Sequence, residues 1–244
     1  MSGRLRAFAA IALLVGAALT AGAVDGPTPY PSDPQAYPGQ GVTGVLPWMA
    51  GNRAGFWKQR AASRGRVVFV GDSLVGNWRT LADDWPGVPV ANRGIGGEFT
   101  RLLLFRLRED VLDLNPKAVV LLSGTNDLSA RQDVRITAAN LAQILDTIER
   151  EAPGTPVLIC TVPPRRDPRA PVEPGRVEAL NALIAALPQG RAHVQVFDLH
   201  AALLGSDGLP VDAYFVADHL HLSREGYRRW RDALAPVLRK LGYG

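Results

Sequence analysis

Four short polar blocks of this 244-residue chain carry side chains suited to acyl-transfer chemistry. The first, residues 71–74, reads Gly-Asp-Ser-Leu and places Ser73 directly after an apolar run, where a helix is expected to begin. A serine there is either an ordinary helix N-cap or a nucleophile that attacks beside free backbone N–H groups. Because position 75 is Val, the block does not match the Gly-x-Ser-x-Gly elbow of α/β-hydrolases.

Two further blocks offer hydrogen-bond donors. Residues 92–97 read Asn-Arg-Gly-Ile-Gly-Gly, and residues 123–127 read Ser-Gly-Thr-Asn-Asp. The glycines indicate either a tight loop or a close approach of the backbone to a ligand, and their spacing does not match the dinucleotide fingerprint. Asn126 either forms an Asx-turn or turns an amide donor into a cleft.

The fourth block, residues 217–223, reads Ala-Asp-His-Leu-His-Leu-Ser and offers a base. An acid three residues before a histidine can hold its Nδ1–H and leave Nε2 free, which pairs Asp218 with His221. His219 and His221 also form a His-x-His pair that could bind a metal. No further His or Cys stands at zinc spacing, so we expect no metal.

Five apolar runs separated by amphipathic stretches must position these blocks. Continuous apolar runs are typical of strands buried on both faces, as in a parallel sheet, and helical stripes at 138–148 and 227–241 can cover such a sheet. The pattern predicts a three-layer α/β/α sandwich whose ligands bind at the carboxyl ends of the strands. The five runs are residues 67–70, 88–91, 118–122, 157–162 and 194–197.

The N-terminus indicates export. Residues 1–23 combine two arginines, an uncharged apolar run and an Ala-Gly-Ala cleavage site, which is the layout of a secretory signal peptide; an uncleaved membrane anchor is the alternative. Residues 24–47 contain six prolines and predict an extended or loosely ordered leader. One globular domain is expected over 48–244, with no membrane span after cleavage, in a secreted or periplasmic protein.

Composition excludes several classes of protein. The net charge of +4 comes from interspersed residues, so we expect no nucleic-acid partner. The single cysteine, Cys160, excludes an intrachain disulfide, and its apolar surroundings indicate a buried core residue rather than a nucleophile.

The order of the four blocks along the chain resembles that of the SGNH or GDSL hydrolase superfamily. Within it, the stretches 68–73, 92–98 and 218–227 resemble the esterases that are like the catalytic subunits of platelet-activating-factor acetylhydrolase. The similarity covers about residues 48–241. It implies a flavodoxin-like SGNH hydrolase fold with a five-stranded parallel sheet.

The resemblance also implies roles for the candidate residues and no cofactor. Ser73 corresponds to the nucleophile, and Asp218 and His221 complete a triad. The N–H groups of Ser73 and Gly97 and the side chain of Asn126 correspond to the oxyanion hole. His219 falls outside the motif. Glu98 stands where many relatives carry Asp, which is expected to alter loop bonding and substrate reach.

These features together predict a secreted serine esterase that cleaves short acyl groups, such as acetyl, from a lipid, glycan or small-molecule alcohol. Because the best-known acetylhydrolase subunits are cytosolic, the export signal argues against platelet-activating factor itself as the substrate. Two alternatives are an envelope glycan O-acetyltransferase that uses the same acyl-enzyme and a non-catalytic binding protein on the same scaffold. The filled triad disfavours the latter.

Overall fold

The computed structural model describes residues 25–243. The predicted signal peptide and its cleavage point before Val24 lie outside these residues. Among the described residues, no helix combines the length and apolar composition of a membrane span.

The strands are β1 (Val67–Gly71), β2 (Val90–Gly94), β3 (Ala118–Leu122), β4 (Val157–Cys160) and β5 (Val194–Phe197). The α-helices are α1 (Met49–Lys58), α2 (Ser73–Gly76), α3 (Leu81–Asp84), α4 (Thr100–Asp110), α5 (Thr125–Ser129), α6 (Val134–Glu151), α7 (Arg176–Ala186), α8 (Leu199–Ala202) and α9 (Arg224–Lys240).

All five strands pair in parallel, in the order β2-β1-β3-β4-β5. The predicted three-layer α/β fold with a five-stranded parallel sheet is confirmed. The second strand begins at Val90 rather than Val88, because Val88 N–H closes a turn on Trp85 and Pro89 has no N–H to donate. At its other end the strand continues through Asn92 to Gly94, beyond the predicted apolar run 88–91.

The two faces of the sheet bury separate apolar cores, as alternating side chains of each strand require. Phe69 points to the face that α9 covers, where Trp230 and Tyr227 are buried. Val68 and Val70 point to the opposite face, which α4, α6 and α7 cover. The predicted stripes on α6 and α9 pack into these cores. On α9, Leu238 is buried, whereas the predicted position Val237 is only partly buried.

The strand order creates a switch point at the end of β1. The chain passes from β1 to β2 on one side and then crosses back to β3 on the other. Helices that leave neighbouring strands in opposite directions open a crevice at the carboxyl ends of those strands. The loops after β1, β2 and β3 therefore meet at this crevice.

Residues 25–47, which we call the N-terminal strap, form no α-helix or strand; they contain a short 3-10 helix over Pro34–Ala36, and the backbone bends at residues 37–41. The sequence predicts an extended or loosely ordered leader here, and in the structure this segment is held against the domain. Arg101 of α4 donates hydrogen bonds to three strap carbonyl oxygens, and Asn140 of α6 bonds with both backbone groups of Gln40. These polar contacts are long-range in sequence, so no local pattern could have predicted them.

Candidate active site

Ser73 begins α2 at the end of β1. Gly71 makes the preceding turn feasible, because a Cβ there would lie only 1.8 Å from Leu122 O of the adjacent strand. Asp72 is the N-cap, and its carboxylate accepts the N–H of Leu74 at 2.9 Å. The N-cap interpretation of Ser73 is therefore wrong, since the residue before it caps the helix and the Ser73 hydroxyl takes no part in capping.

His221 and Asp218 reach Ser73 from the loop before α9. His221 Nε2 lies 2.8 Å from Ser73 Oγ, and its Nδ1 lies 2.7 Å from Asp218 Oδ2. Because a carboxylate only accepts hydrogen bonds, Nδ1 carries the proton toward Asp218. Nε2 of the neutral ring is then the acceptor for the serine hydroxyl. The three side chains thus form one continuous hydrogen-bonded chain, although Ser73 and His221 are 148 residues apart in sequence.

Asp218 is held as a carboxylate. Its other oxygen accepts the backbone N–H groups of Leu220 and His221, each at 2.9 Å. Burial raises the pKa of Asp218, but the hydrogen bonds from the side chain and backbone of His221 and from Leu220 outweigh this effect and lower the pKa below its usual value. The exposed Arg169 adds a positive charge 3.5 Å from Asp218 Oδ2.

His219 faces a different partner. Its backbone is left-handed, with φ of +52°, and its Nδ1 lies 3.9 Å from the carboxylate of Asp212. The two histidines of the His-x-His pair therefore point to separate surroundings. Within residues 25–243, no group of three or more His, Cys, Asp or Glu residues lies close enough together to hold a metal ion.

Three groups near the Ser73 hydroxyl have N–H hydrogens that are available to a ligand. In the described part of the chain, the backbone N–H groups of Ser73 and Gly97 donate to no protein acceptor. Asn126 Nδ2 donates to Glu98 O at 3.0 Å, which leaves its second amide hydrogen free. Ser73, Gly97, Asn126 and His221 line one cleft of about 620 Å³. The cleft can therefore hold a carbonyl oxygen beside a nucleophile and a base.

Glu98 points into the protein rather than into the cleft. Its side chain and that of Arg106 on α4 are both fully buried, and two nitrogens of Arg106 lie 2.6 and 2.5 Å from the carboxylate oxygens. Burial lowers the pKa of Arg106, but the charge of Glu98 outweighs this and raises it above its usual range. The carboxylate of Glu98 thus stabilises the loop after β2 through Arg106 and does not line the cleft.

Several residues of the cleft carry no signal in the sequence. Trp48, Asn52 and Arg79 contribute to its wall, and the indole Nε1 of Trp48 donates to Gly96 O at 2.9 Å. A neighbouring cleft of about 490 Å³ shares Asn52 and Arg79 and continues toward Gln59, the residue that follows α1. None of these residues belongs to a local motif, since their role depends on contacts with distant loops.

Comparison with known proteins agrees with this geometry. Residues 49–229 match the model of the GDSL-like Lipase/Acylhydrolase family. The chain belongs to this family. The resemblance predicted from the four blocks is confirmed, and this GDSL protein is a hydrolase of ester bonds.

Relatives and solved structures fit the same assignment. The chain is 29% identical over 170 residues to platelet-activating factor acetylhydrolase IB subunit alpha2 of Homo sapiens, across 67% of this chain and 71% of that protein. A GDSL-like lipase from Bacteroides thetaiotaomicron superposes with a TM-score of 0.66 at 26% identity, over 76% of this chain and 96% of that one. An acetylxylan esterase from Geobacillus stearothermophilus shares the fold, with a TM-score of 0.58 at 18% identity, over 74% and 95% of the two chains.

Proposed function

We propose that this GDSL hydrolase is a serine esterase in which Ser73, His221 and Asp218 form the catalytic triad. The observation that carries the proposal is the unbroken hydrogen-bonded chain from Asp218 through His221 to Ser73 Oγ. It ends in a cleft where two backbone N–H groups and one amide hydrogen have no acceptor among residues 25–243. A merely structural serine would not need all three donors beside it.

The reaction follows from this arrangement. Ser73 Oγ attacks the ester carbonyl carbon while His221 Nε2 takes the hydroxyl proton, and Asp218 stabilises the imidazolium that forms. The tetrahedral intermediate collapses when its C–O bond to the alcohol breaks and His221 delivers the proton to that leaving oxygen. Water, deprotonated by His221, then attacks the acyl-enzyme and releases the carboxylic acid and free Ser73.

The negative oxygen of the intermediate is stabilised by the N–H groups of Ser73 and Gly97 and by Asn126 Nδ2. Donors fixed before the reaction cost no reorganisation as charge develops, and removing one typically lowers kcat by about 10²–10³. Glu98 O holds Asn126 by one amide hydrogen, which directs the other hydrogen to the cleft.

The cleft favours a short acyl group and a polar alcohol. Around Ser73 its wall consists mainly of glycines, amide side chains and Arg79, with Trp48 and Leu220 as its large apolar members. These two side chains do not form a continuous aliphatic channel for a long acyl chain, along which burial of each methylene would contribute about 0.8 kcal/mol. The acetylhydrolase names of the mammalian relatives support acetyl as the acyl group. The alcohol is a glycan, a lipid or a small molecule.

A panel of p-nitrophenyl esters from acetyl to decanoyl tests this proposal. We expect kcat/KM to be highest for acetyl and to fall with chain length, and Ser73→Ala to abolish turnover. Ser123→Ala is the matched control, because Ser123 follows β3 and its buried hydroxyl has no partner among the described residues. Activity retained by Ser73→Ala contradicts the triad, and rates that rise with chain length contradict the short acyl group. Acetyl transfer to an added sugar in place of hydrolysis would identify a transferase.

We further propose that residues 1–23 direct export and are removed, so that the mature chain begins near Val24. Support comes from the positively charged start, the apolar run and the Ala-Gly-Ala site. Intact mass measurement of protein recovered outside the cytoplasm should give the shortened chain. Recovery of the form that retains Met1, firmly in the membrane fraction, would contradict cleavage and favour an anchor.

A further inference from the structure

The peptide group between Gly96 and Gly97 links the strap side of the molecule to the candidate oxyanion hole. Its carbonyl oxygen, Gly96 O, accepts a hydrogen bond from Trp48 Nε1 at 2.9 Å. In a trans peptide the carbonyl and the N–H point in opposite directions, and residues 25–243 contain no cis peptide. Holding Gly96 O therefore fixes the direction of Gly97 N–H.

This peptide lies between Trp48 and the nucleophile. A Cβ built on Gly96 would be 3.7 Å from Trp48 Nε1 and 3.8 Å from Ser73 Cβ. Trp48 is 51% exposed and therefore gains little from burial of its ring. The hydrogen bond of its indole is directed at the loop that carries a proposed oxyanion donor.

The strap supports the same loop from the other side. A Cβ on Gly97 would meet Leu46 Cδ1 at 2.4 Å, so Leu46 rests directly on this glycine, whose φ is +79°. Leu46 itself packs against the small buried cluster of Met49, Ile95 and Leu102. Val42 N–H bonds to Gln132 Oε1 and thereby anchors the strap just before Leu46.

We propose that Trp48 is a positioning residue for ester hydrolysis: its indole N–H holds the Gly96 carbonyl so that Gly97 N–H is aimed at the reacting oxygen. Leu46 restricts the same peptide by packing. The matched family region begins at residue 49, so this support comes from a part of the chain outside it. The inference rests on the proposed function, because it requires Gly97 N–H to act on the oxyanion.

Trp48→Phe tests the inference, because it keeps an aromatic ring and removes the N–H donor, and the smaller ring gives up little packing at a side chain that is half exposed. We expect kcat for p-nitrophenyl acetate to fall about ten- to a hundredfold with little change in KM. This decrease is smaller than the one expected when a whole oxyanion donor is removed. The rate at which a fluorophosphonate labels Ser73 should fall in parallel, since the phosphoryl oxygen occupies the same hole. Leu46→Ala should lower kcat in the same sense and by a smaller factor.

Trp57→Phe is the control, since Trp57 lies on α1, the helix that begins directly after Trp48. It stacks on Arg60 and donates its indole N–H to no acceptor among the described residues. Its kcat should equal that of the wild type. Wild-type kcat in Trp48→Phe, or a change in KM alone, overturns the inference. Ser73→Ala in the same assay separates the two failures. If Trp48→Phe gives such a result while Ser73→Ala is inactive, only the inference fails. If Ser73→Ala stays active, the proposed function fails and the inference fails with it.

Discussion

The buried pair of Glu98 and Arg106 should determine much of the stability of the loop that follows β2. Arg106 bonds to both carboxylate oxygens of Glu98 and donates to Arg93 O at 2.8 Å. It also reaches Gly71 O, at 3.4 Å, so one guanidinium joins the ends of β1 and β2 to the glycine loop. We expect Arg106→Met to leave the Glu98 carboxylate without its ion-pair partner in the core, and Glu98→Leu to leave Arg106 with only the longer contact to Asp110 Oδ2, at 3.4 Å, as an ion pair within residues 25–243.

The cost of such a charge can be worked from the burial of both partners. Neither side chain is exposed, so neither charge can be compensated by water without opening the core. Removing one partner of a buried ion pair typically costs about 3–5 kcal/mol, whereas replacing both with apolar residues is often close to neutral. The double variant Glu98→Leu/Arg106→Met should therefore be more stable than the sum of the two single losses indicates.

Urea unfolding monitored by tryptophan fluorescence measures these differences. With a slope of about 3 kcal/mol per molar urea, the upper end for small proteins, each single variant should shift the midpoint down by about 1–2 M. Arg108→Met is the control on the same helix, because Arg108 is exposed and pairs with Glu151 at the surface. Its midpoint should stay near that of the wild type. The reasoning is refuted if the single variants behave like this control, or if the double variant loses the full sum of both.

Three further predictions concern the triad, the nucleophile turn and the glycine loop. His221→Ala should lower kcat by several orders of magnitude and His219→Ala by no more than about tenfold, and steady-state kinetics showing the reverse order would contradict the triad. Burial raises the pKa of Asp72 to about 7, so the folded state keeps a proton that the unfolded state releases between pH 4 and 7, and stability declines across that range. Asp72→Asn should remove this decline, which amounts to at most about 4 kcal/mol at 1.36 kcal/mol per pKa unit; parallel stability curves for variant and wild type would contradict it. Gly97→Ala should lower both thermal stability and kcat, because the new Cβ would meet Leu46 and the residue has φ of +79°, and an unchanged melting temperature would contradict this.

Much of the fold could be predicted because its elements have local signatures. The five apolar runs became the five strands, although β2 begins late, where Pro89 and a turn at Val88 delay pairing, and β4 ends at Cys160 rather than at residue 162. The spacing of Asp218 and His221 also indicated the hydrogen bond that the structure contains, since a tight loop suffices to bring them together.

The features that sequence missed depend on long-range contacts. Nothing near Trp48 indicates that its indole reaches Gly96, and nothing near Glu98 indicates whether its carboxylate faces the cleft or Arg106. The proline content of the strap predicts an extended or loosely ordered segment, and nothing in it indicates the anchoring by Arg101. Composition describes the conformations that a segment favours, whereas its docking is determined by partners elsewhere in the chain.

The most direct test of the central proposal is to identify the residue that becomes covalently modified. The wild-type protein is treated with a fluorophosphonate, digested and mapped by mass spectrometry, beside Ser73→Ala and Ser123→Ala. We expect one adduct, on Ser73, in the wild type and in Ser123→Ala, and none in Ser73→Ala. An adduct on Ser123 or Ser223, or esterase activity that survives in Ser73→Ala, would contradict the assignment of Ser73 as the nucleophile.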